Sequence, residues 1–224
     1  MKTIAIIPAR GGSKRLPNKN LRLLGGLPLI AHSILYAKAN AACIDAVYVS
    51  TDHAGIKACA LEFGALVIDR PAALSGDHEP TATALKHVLS NVENFANVVL
   101  LQPTNPLRPQ ALLRDCIKIY LENASDSLFT VSRNHQKLGK IHDQRFQPFN
   151  YNFGQRSQDL APLYFENGLL YITKRELVMQ EKIISESAYP FEVEHAFANV
   201  DIDTLADFDY ACYLFEKFKI TNPT

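Results

Sequence analysis

Residues 3–20 read TIAIIPARGGSKRLPNKN, and this stretch decides the fold. The segment from Thr3 to Ile7 is apolar after its first residue and stops at Pro8. A short, uniformly apolar run predicts a strand buried on both faces, as in a parallel sheet between layers of helices. The loop that follows has two adjacent glycines and four basic residues, which lets backbone N–H groups and cations approach an anion. It is neither a Walker A loop nor a Gly-x-Gly-x-x-Gly loop.

Helix-like and strand-like segments alternate along the chain beyond this strand. The predicted order is a helix at 28–39, a strand at 46–50, a helix ending at Phe63, a strand at 65–68, a helix at 81–92, a strand at 98–101, a helix at 109–121 and a strand at 127–131. This alternation is typical of an α/β fold with a doubly wound, mostly parallel sheet. Ligands bind beyond the carboxyl ends of such strands, so we expect the site in the loops after Ile7, Ser50, Ile68 and Leu101.

The pattern changes at residues 133–158, where polar residues dominate. Four aromatic residues stand at nearly alternating positions in this part of the chain: Phe146, Phe149, Tyr151 and Phe153. The segment is too aromatic for a disordered linker. We interpret residues 133–166 as a small extended arm, inserted for homodimer formation and contributing to the substrate site.

The C-terminal part returns to regular structure. Strands are predicted at 168–173 and 196–202, and a closing helix at 204–218. Thr204 and Asp207 have the spacing of a capping box at the start of this helix. Residues 1–224 are therefore expected to form a single domain.

The composition excludes several classes of protein. The 224 residues are 47% hydrophobic, which excludes a disordered chain, and the 23 Lys and Arg balance 23 Asp and Glu. A dedicated nucleic-acid-binding protein usually has a basic surplus, so we expect no nucleic-acid partner. No apolar run is long enough to span a membrane, and the first, stopped by Pro8, is too short for a signal peptide. Four scattered cysteines without a Cys-x-x-Cys pair indicate reduced thiols and a cytoplasmic protein.

The balanced charge is unevenly distributed. Residues 1–44 hold seven basic residues and no acid, and the first acidic residue is Asp45. This segment either meets an anionic ligand or simply carries solvated charges.

The loop and several later blocks resemble one enzyme family. PARGGSKRLPNKNL at 8–21 resembles the signature of the acylneuraminate cytidylyltransferases, which include CMP-sialic acid synthetases and their legionaminic and pseudaminic acid relatives. Further blocks follow in the family's order: Ser50-Thr-Asp52, Arg70-Pro-Ala, Leu101-Gln-Pro-Thr-Asn-Pro-Leu-Arg108, Arg156-Ser-Gln-Asp-Leu, Glu166-Asn-Gly168 and Asp201-Ile-Asp-Thr204. Together they span residues 3 to about 210. The resemblance implies the nucleotide-diphospho-sugar transferase variant of the Rossmann fold and a cytidylyltransferase that couples CTP to a nonulosonic acid and releases pyrophosphate.

The resemblance also assigns nucleotide-binding residues. Arg10 and Lys19 would hold the triphosphate and stabilise the departing pyrophosphate, with Ala9, Gly11 and Ser13 beside them, and Asn20 would lie near the ribose. Arg70 and Thr81 would line the cytosine pocket, although Arg70 could instead pair with Asp69 or Asp77. Lys14 and Arg15 could be neighbours that only add positive field, and for Arg15 this interpretation is favoured.

Asp201 and Asp203 are the expected metal ligands. Their spacing is that of a strand, which would project both carboxylates on one face. Two hard oxygen ligands suit Mg²⁺, or another divalent cation, with water and substrate phosphates completing the coordination. Asp203 could also cap the final helix, whereas Asp201 has no capping role. Since no dedicated general base is visible, the metal site is expected to activate the attacking anomeric hydroxyl.

The sugar acid would meet residues from two regions. The resemblance implies contacts from Gln102, after the fourth strand, and from Arg156, Gln158, Tyr164 and Asn167, in or near the arm. Some synthetases carry an arginine shortly before the Asn-Gly pair, whereas this chain reads Tyr164-Phe-Glu-Asn167. This departure leaves the particular sugar acid open. Two alternatives also stay open: a Kdo-type cytidylyltransferase, and a non-catalytic module that only binds nucleotide.

Overall fold

The computed structural model describes residues 2–220, which form eleven strands, six α-helices and four short 3-10 helices. The strands are β1 (Thr3–Pro8), β2 (Leu23–Leu24), β3 (Leu27–Pro28), β4 (Ala46–Thr51), β5 (Leu66–Asp69), β6 (Asn97–Leu100), β7 (Ser127–Asn134), β8 (Gly139–His142), β9 (Arg145–Pro148), β10 (Leu163–Lys174) and β11 (Tyr189–Glu192). The helices are α1 (Leu29–Ala39), α2 (Ala54–Glu62), α3 (Thr81–Ser90), α4 (Leu112–Glu122), α5 (Arg175–Met179) and α6 (Leu205–Lys217).

A seven-stranded sheet in the order β11-β7-β10-β6-β1-β4-β5 confirms the predicted α/β fold. Strand β1 lies inside it and pairs in parallel with β4 on one side and β6 on the other. Strand β10 runs antiparallel to both of its neighbours, and β11 is parallel to β7. The mostly parallel arrangement brings the ends of β1, β4, β5 and β6 to one edge.

Strand β1 is buried on both faces, as its unbroken apolar run requires. Ala5 and Ile7 pack in a cluster that includes residues of α1, α2 and α4. Ile4 and Ile6 point to the opposite face and pack with residues of α3 and α5. Each fully buried isoleucine contributes about 1.5–3 kcal/mol by leaving water, so β1 fixes the loop that follows it.

The predicted strand at 196–202 is wrong. A short 3-10 helix occupies Ala196–Asn199, and the chain then runs without regular structure to α6. Phe197, Val200 and Ile202 pack with α6 and the loop after β1. Because these apolar side chains are buried against a helix, the segment needs no strand partners.

The other predicted elements are present, with shifted ends. Helix α3 ends two residues earlier than predicted, α4 begins three residues later, and β10 begins five residues earlier. Helix α5 and strand β11 were not predicted. The capping box of α6 is confirmed, because the Thr204 side chain accepts from the Asp207 N–H and the Asp207 side chain accepts from the Thr204 N–H.

The arm forms a separate two-stranded sheet from β8 and β9. Its aromatic residues pack partly on one another: the Tyr151 ring contacts those of Phe146 and Phe153. Phe149 and Phe153 nevertheless remain 68% and 73% exposed. In the described part of the chain no cysteine is in a disulfide, and no helix is long and apolar enough to cross a membrane.

Candidate functional site

Residues 9–20 form the loop after β1, here called the glycine loop, and this loop is anchored to the end of β4. Ala9 N–H donates to Ser50 O at 2.9 Å, and Gly11 N–H donates to Asp52 Oδ1 at 2.9 Å. A Cβ on Gly11 would lie 2.7 Å from the His53 ring, so only glycine fits this close approach. The loop therefore leaves the sheet along a fixed path.

A cavity of about 410 Å³ lies against this loop and is lined by the basic side chains of the loop. Its lining includes Arg10, Ser13, Lys14, Arg15, Lys19, Asn20, Asp77, Thr104 and Asp203. The structure therefore brings the basic residues of the loop together, and the carboxylate of Asp203 lies among them. Such a concentration of cations in one concave site suits a polyphosphate.

Lys19 and Asn20 are held in place by hydrogen bonds of their side chains. The Lys19 side chain is only 12% exposed, and its Nζ donates to Ile202 O at 2.7 Å and to Asp203 Oδ1 at 3.0 Å. Asn20 is buried, and its Nδ2 donates to Arg10 O at 3.0 Å. The Asn20 amide therefore braces the loop backbone beneath the cavity.

Two carboxylates pair with the cations of this cavity. Asp77, in the loop after β5, accepts from Arg10 Nη1 at 2.7 Å and also pairs with Lys14. The hydrogen bonds from Lys14 and Arg10 lower the pKa of Asp77 below its usual value. Asp203 pairs with Arg15 Nη2 at 2.7 Å as well as with Lys19, so the exposed Arg15 is not simply solvated. Each carboxylate occupies a place that suits a phosphate oxygen.

Arg70 and Thr81 line a second cavity, of about 140 Å³, that adjoins the first at Pro8, Arg10 and Thr104. Arg70 is 8% exposed and donates to Ser50 Oγ and Ser50 O. Its burial lowers the pKa of the guanidinium. Asp69 pairs with Lys57 and Asp77 with Arg10, so Arg70 takes neither of the partners that were considered for it.

Asp201 and Asp203 do not project from one face of a strand, contrary to the prediction, because no strand forms there. Asp203 lines the first cavity, of about 410 Å³, whereas Asp201 lines a third cavity. Desolvation raises the pKa of Asp201, a hydrogen bond involving Thr104 opposes this, and the nearby negative charge of Asp203 adds to the rise. A divalent cation between the two carboxylates would relieve that repulsion, so these hard oxygen donors fit Mg²⁺ with phosphates and water as further ligands. Among residues 2–220 no cluster of three acidic, histidine or cysteine side chains offers another metal site.

The third cavity, of about 370 Å³, lies where Gln102 faces an irregular part of β10. Besides Asp201 and Gln102, its lining includes Phe165, Glu166, Asn167, Gly168 and Tyr171. Gln102 Nε2 donates to Gly168 O at 3.4 Å, and Tyr171 OH donates to Glu166 Oε2 at 3.0 Å. The cavity thus offers amide, carboxylate and aromatic groups to a polar ligand.

Asn167 has a different environment from the one the sequence implied. Its side chain is buried, accepts from Thr130 Oγ1 and Leu169 N–H, and donates to Ser132 Oγ. These contacts use both ends of the amide. Asn167 therefore shapes the cavity wall by fixing the backbone of β10.

Tyr164, Arg156 and Gln158 lie away from these three cavities. Tyr164 lines a groove of about 630 Å³ together with Phe129, Val131, Glu166, Pro190 and Glu192, and this groove shares Glu166 with the third cavity. Arg156 makes a two-point ion pair with Asp159 in the arm, and Gln158 is exposed there. Within one chain, the structure does not bring these three residues together with Gln102.

Sequence reasoning missed several residues at the site, including Thr104 and Tyr171 in the cavity walls and three that hold the site in place. Asp52 fixes the glycine loop, Asp77 pairs with its cations, and Arg108 lies behind Gln102. Asp52 and Arg108 belong to blocks that carry the family resemblance, and this was the signal available for them. Asp77 had no such signal, because a loop carboxylate without periodicity does not reveal its partner.

Comparison with known proteins agrees with this geometry. A family model described as cytidylyltransferase matches residues 4–220. N-acylneuraminate cytidylyltransferase of Streptococcus agalactiae serotype III (strain NEM316) is 34% identical over 216 residues, covering 93% of this chain and 52% of that protein. This chain therefore spans about half the length of that curated relative. CMP-N,N'-diacetyllegionaminic acid synthase of Legionella pneumophila (strain Philadelphia 1) is 33% identical over 221 residues, covering 92% and 93%.

A solved structure supports the fold independently. The CMP:2-keto-3-deoxy-manno-octonic acid synthetase complexed with CTP superposes with a TM-score of 0.74 at 20% identity, covering 97% of this chain and all of that chain. At this identity the similarity establishes the fold alone. The family match over nearly the whole length and the two relatives above 30% identity establish more: this chain belongs to the cytidylyltransferase family.

Proposed function

We propose that this protein transfers CMP from CTP to a nonulosonic acid and releases pyrophosphate. The observation that carries the proposal is the convergence of Arg10, Lys14, Arg15 and Lys19 with Asp203 in one cavity, next to a pocket lined by Arg70 and Thr81. The names of the relatives from Streptococcus and Legionella supply the substrate class. Both are activated-sugar synthetases, but for different acids, so the proposal is for the class and not for one acid.

The chain's own residues can orient the nucleotide. Arg10 and Lys19 would hold the β- and γ-phosphates and stabilise the charge that grows on pyrophosphate as it leaves. Arg70, fixed by Ser50, would line the base pocket together with Thr81. In this arrangement the α-phosphorus would lie between the first cavity and Gln102, where the anomeric hydroxyl would attack in line.

Asp201 and Asp203 are the residues that would hold Mg²⁺, and they line the third and first cavities respectively. When bound, the metal neutralises phosphate charge and lowers the pKa of a bound hydroxyl. Asp203 pairs with Arg15 and Lys19, so these two cations lie beside the place where the triphosphate would bind. Asp201, which lines the third cavity, would be the second protein ligand.

The first test is pyrophosphate release with CTP and Mg²⁺ over a panel of acids. We expect turnover with sialic, legionaminic or pseudaminic acid and little with Kdo. Turnover with Kdo alone would favour the Kdo-type alternative, for which the structural relative supports only the fold. Tight CTP binding without turnover of any acid would favour a module that only binds nucleotide.

Asp201→Ala tests the metal assignment. We expect loss of Mg²⁺-dependent pyrophosphate release, because a ligand of the metal is removed. Asp209→Ala, an acidic residue on α6 outside the three cavities, is the control and should keep wild-type rates. Near-normal turnover of Asp201→Ala would contradict the assignment.

We also propose a homodimer in the cytoplasm. The exposed aromatic rings of the arm support the dimer: Phe146 and Phe153 contact Tyr151, and Phe149 is also exposed. Contiguous apolar surface of this kind marks an interaction site. A partner's arm is also the natural source of Arg156 and Gln158 for the sugar cavity, because within one chain these residues lie away from it. The unpaired cysteines support a reducing compartment.

A further inference from the structure

Arg108 is a buried cation that has no acidic partner among the described residues. It is 7% exposed, and its guanidinium donates to three neutral oxygens: Leu169 O at 2.7 Å, Gln102 O at 2.8 Å and Ser33 Oγ at 3.0 Å. Burial lowers the pKa of Arg108 to about 10. Burying an unpaired charge is strongly unfavourable unless its donors are satisfied, so this position requires a specific arrangement of acceptors.

Two of the three acceptors belong to segments that separate at this point: Gln102 follows β6, and Leu169 lies in β10. Strands β6 and β10 pair from Asn97↔Lys174 to Leu100↔Tyr171. The register of β10 against β7 then shifts between Tyr171 and Glu166, and β10 has no further partners in β6. Arg108 bridges the resulting gap, because one nitrogen holds the chain just after β6 at Gln102 and another holds β10 at Leu169.

The gap opens into the cavity that we assign to the sugar acid. Gln102 and Gly168, one on each side, line this cavity. The Gln102 backbone is held by Arg108 and its side chain reaches Gly168 O, so the width of the gap sets where the Gln102 amide points. Ser33, on α1, accepts through its Oγ from the third donor, Nη1 of Arg108. This hydrogen bond connects the Arg108 side chain to the helix layer.

We propose that Arg108 is a positioning residue for the sugar acid: its fork sets the spacing between Gln102 and the irregular segment of β10. The inference rests on the proposed function. A lysine would keep the charge but has a single donor group, so it could not hold both carbonyls and Ser33 in a fixed geometry. The test must therefore separate the forked geometry of the guanidinium group from its positive charge.

The test compares Arg108→Lys with Arg175→Lys. Arg175 is a matched control, since it also donates only to neutral carbonyls, Leu89 O and Val92 O, and lies outside the three cavities. For Arg108→Lys we expect the KM for the sugar acid to rise about tenfold, while the KM for CTP changes less than about twofold. Arg175→Lys should change neither KM.

Two outcomes would overturn the inference: unchanged KM for the sugar acid, or an equal rise in KM for both substrates, which indicates general loosening. If Arg108→Lys does not fold, Ser33→Ala decides by the same criteria, because it removes one of the three acceptors. If the wild type turns over no acid, the proposed function fails separately. Hydrogen exchange of segment 167–171 then decides: faster exchange in Arg108→Lys than in Arg175→Lys supports the bridge, and equal exchange contradicts it.

Discussion

Asp77 and Asp203 show at the scale of single residues how the chain balances its own cations. Each carboxylate pairs with two basic side chains that line the first cavity, the one next to the glycine loop. The basic residues could be predicted because they lie together in one loop that has a recognisable sequence motif. Asp77 could not, because it lies 67 positions from Arg10 and only the folded chain brings the two together.

Asp77→Asn should tighten CTP binding. The carboxylate competes with phosphate oxygens for Arg10 and Lys14, and exposed ion pairs are weak, so we expect a decrease in Kd of about twofold to fivefold by calorimetry. The lowered pKa keeps Asp77 ionised below the usual range of an aspartate, so the difference should persist throughout neutral and mildly acidic pH. Asp69→Asn, which releases Lys57 outside the cavity, should leave Kd unchanged. Weaker binding in Asp77→Asn would show that Asp77 assists the ligand.

Secondary-structure elements could be predicted where a single local sequence pattern determined them. The unbroken apolar run predicted β1, and the Thr204–Asp207 spacing predicted the start of α6. The segment 196–202 was mistaken for a strand because the sequence shows that it is apolar but not what covers it. Its side chains are buried by α6 and the loop after β1, a contact between distant parts of the chain.

Thr204→Ala should destabilise the protein by about 1 kcal/mol, measured by urea unfolding, because the N-cap of α6 loses its acceptor. Desolvation would raise the pKa of Asp207, but hydrogen bonds from the Thr204 side chain and backbone and from Asp203 lower it overall. A lowered folded pKa means that this stabilisation is present at neutral pH and declines as the pH falls through that pKa. The difference between wild type and Thr204→Ala should therefore shrink in acid. Thr83→Ala, whose hydroxyl donates to Pro80 O and caps no amide, should cost less; an equal loss would contradict the capping role.

The whole molecule combines a predictable sheet with an arm whose partners the sequence does not name. Alternating strands and helices were enough to predict the sheet and the edge that carries the site, because crossover connections follow general rules. The division of the site into three cavities was not predictable. It depends on the irregular segment of β10 and on side chains such as Arg108 and Asn167 that hold it in place.

Light scattering tests the assembly. We expect the mass of two chains for the wild type, and a shift towards one chain for a double variant with Phe149→Ser and Phe153→Ser, because burial of these rings would drive association. Leu61→Ser, an exposed apolar residue on α2 outside the arm, should stay dimeric. A wild-type mass of one chain would contradict the proposed dimer.

The most direct test of the central claim is phosphorus NMR of the reaction itself. Wild-type protein is mixed with CTP, Mg²⁺ and one nonulosonic acid at a time, and the phosphorus signals are followed. We predict that the CTP signals are replaced by a CMP-sugar phosphodiester and by pyrophosphate in equal amounts. Unchanged CTP with every nonulosonic acid in the panel would contradict the account.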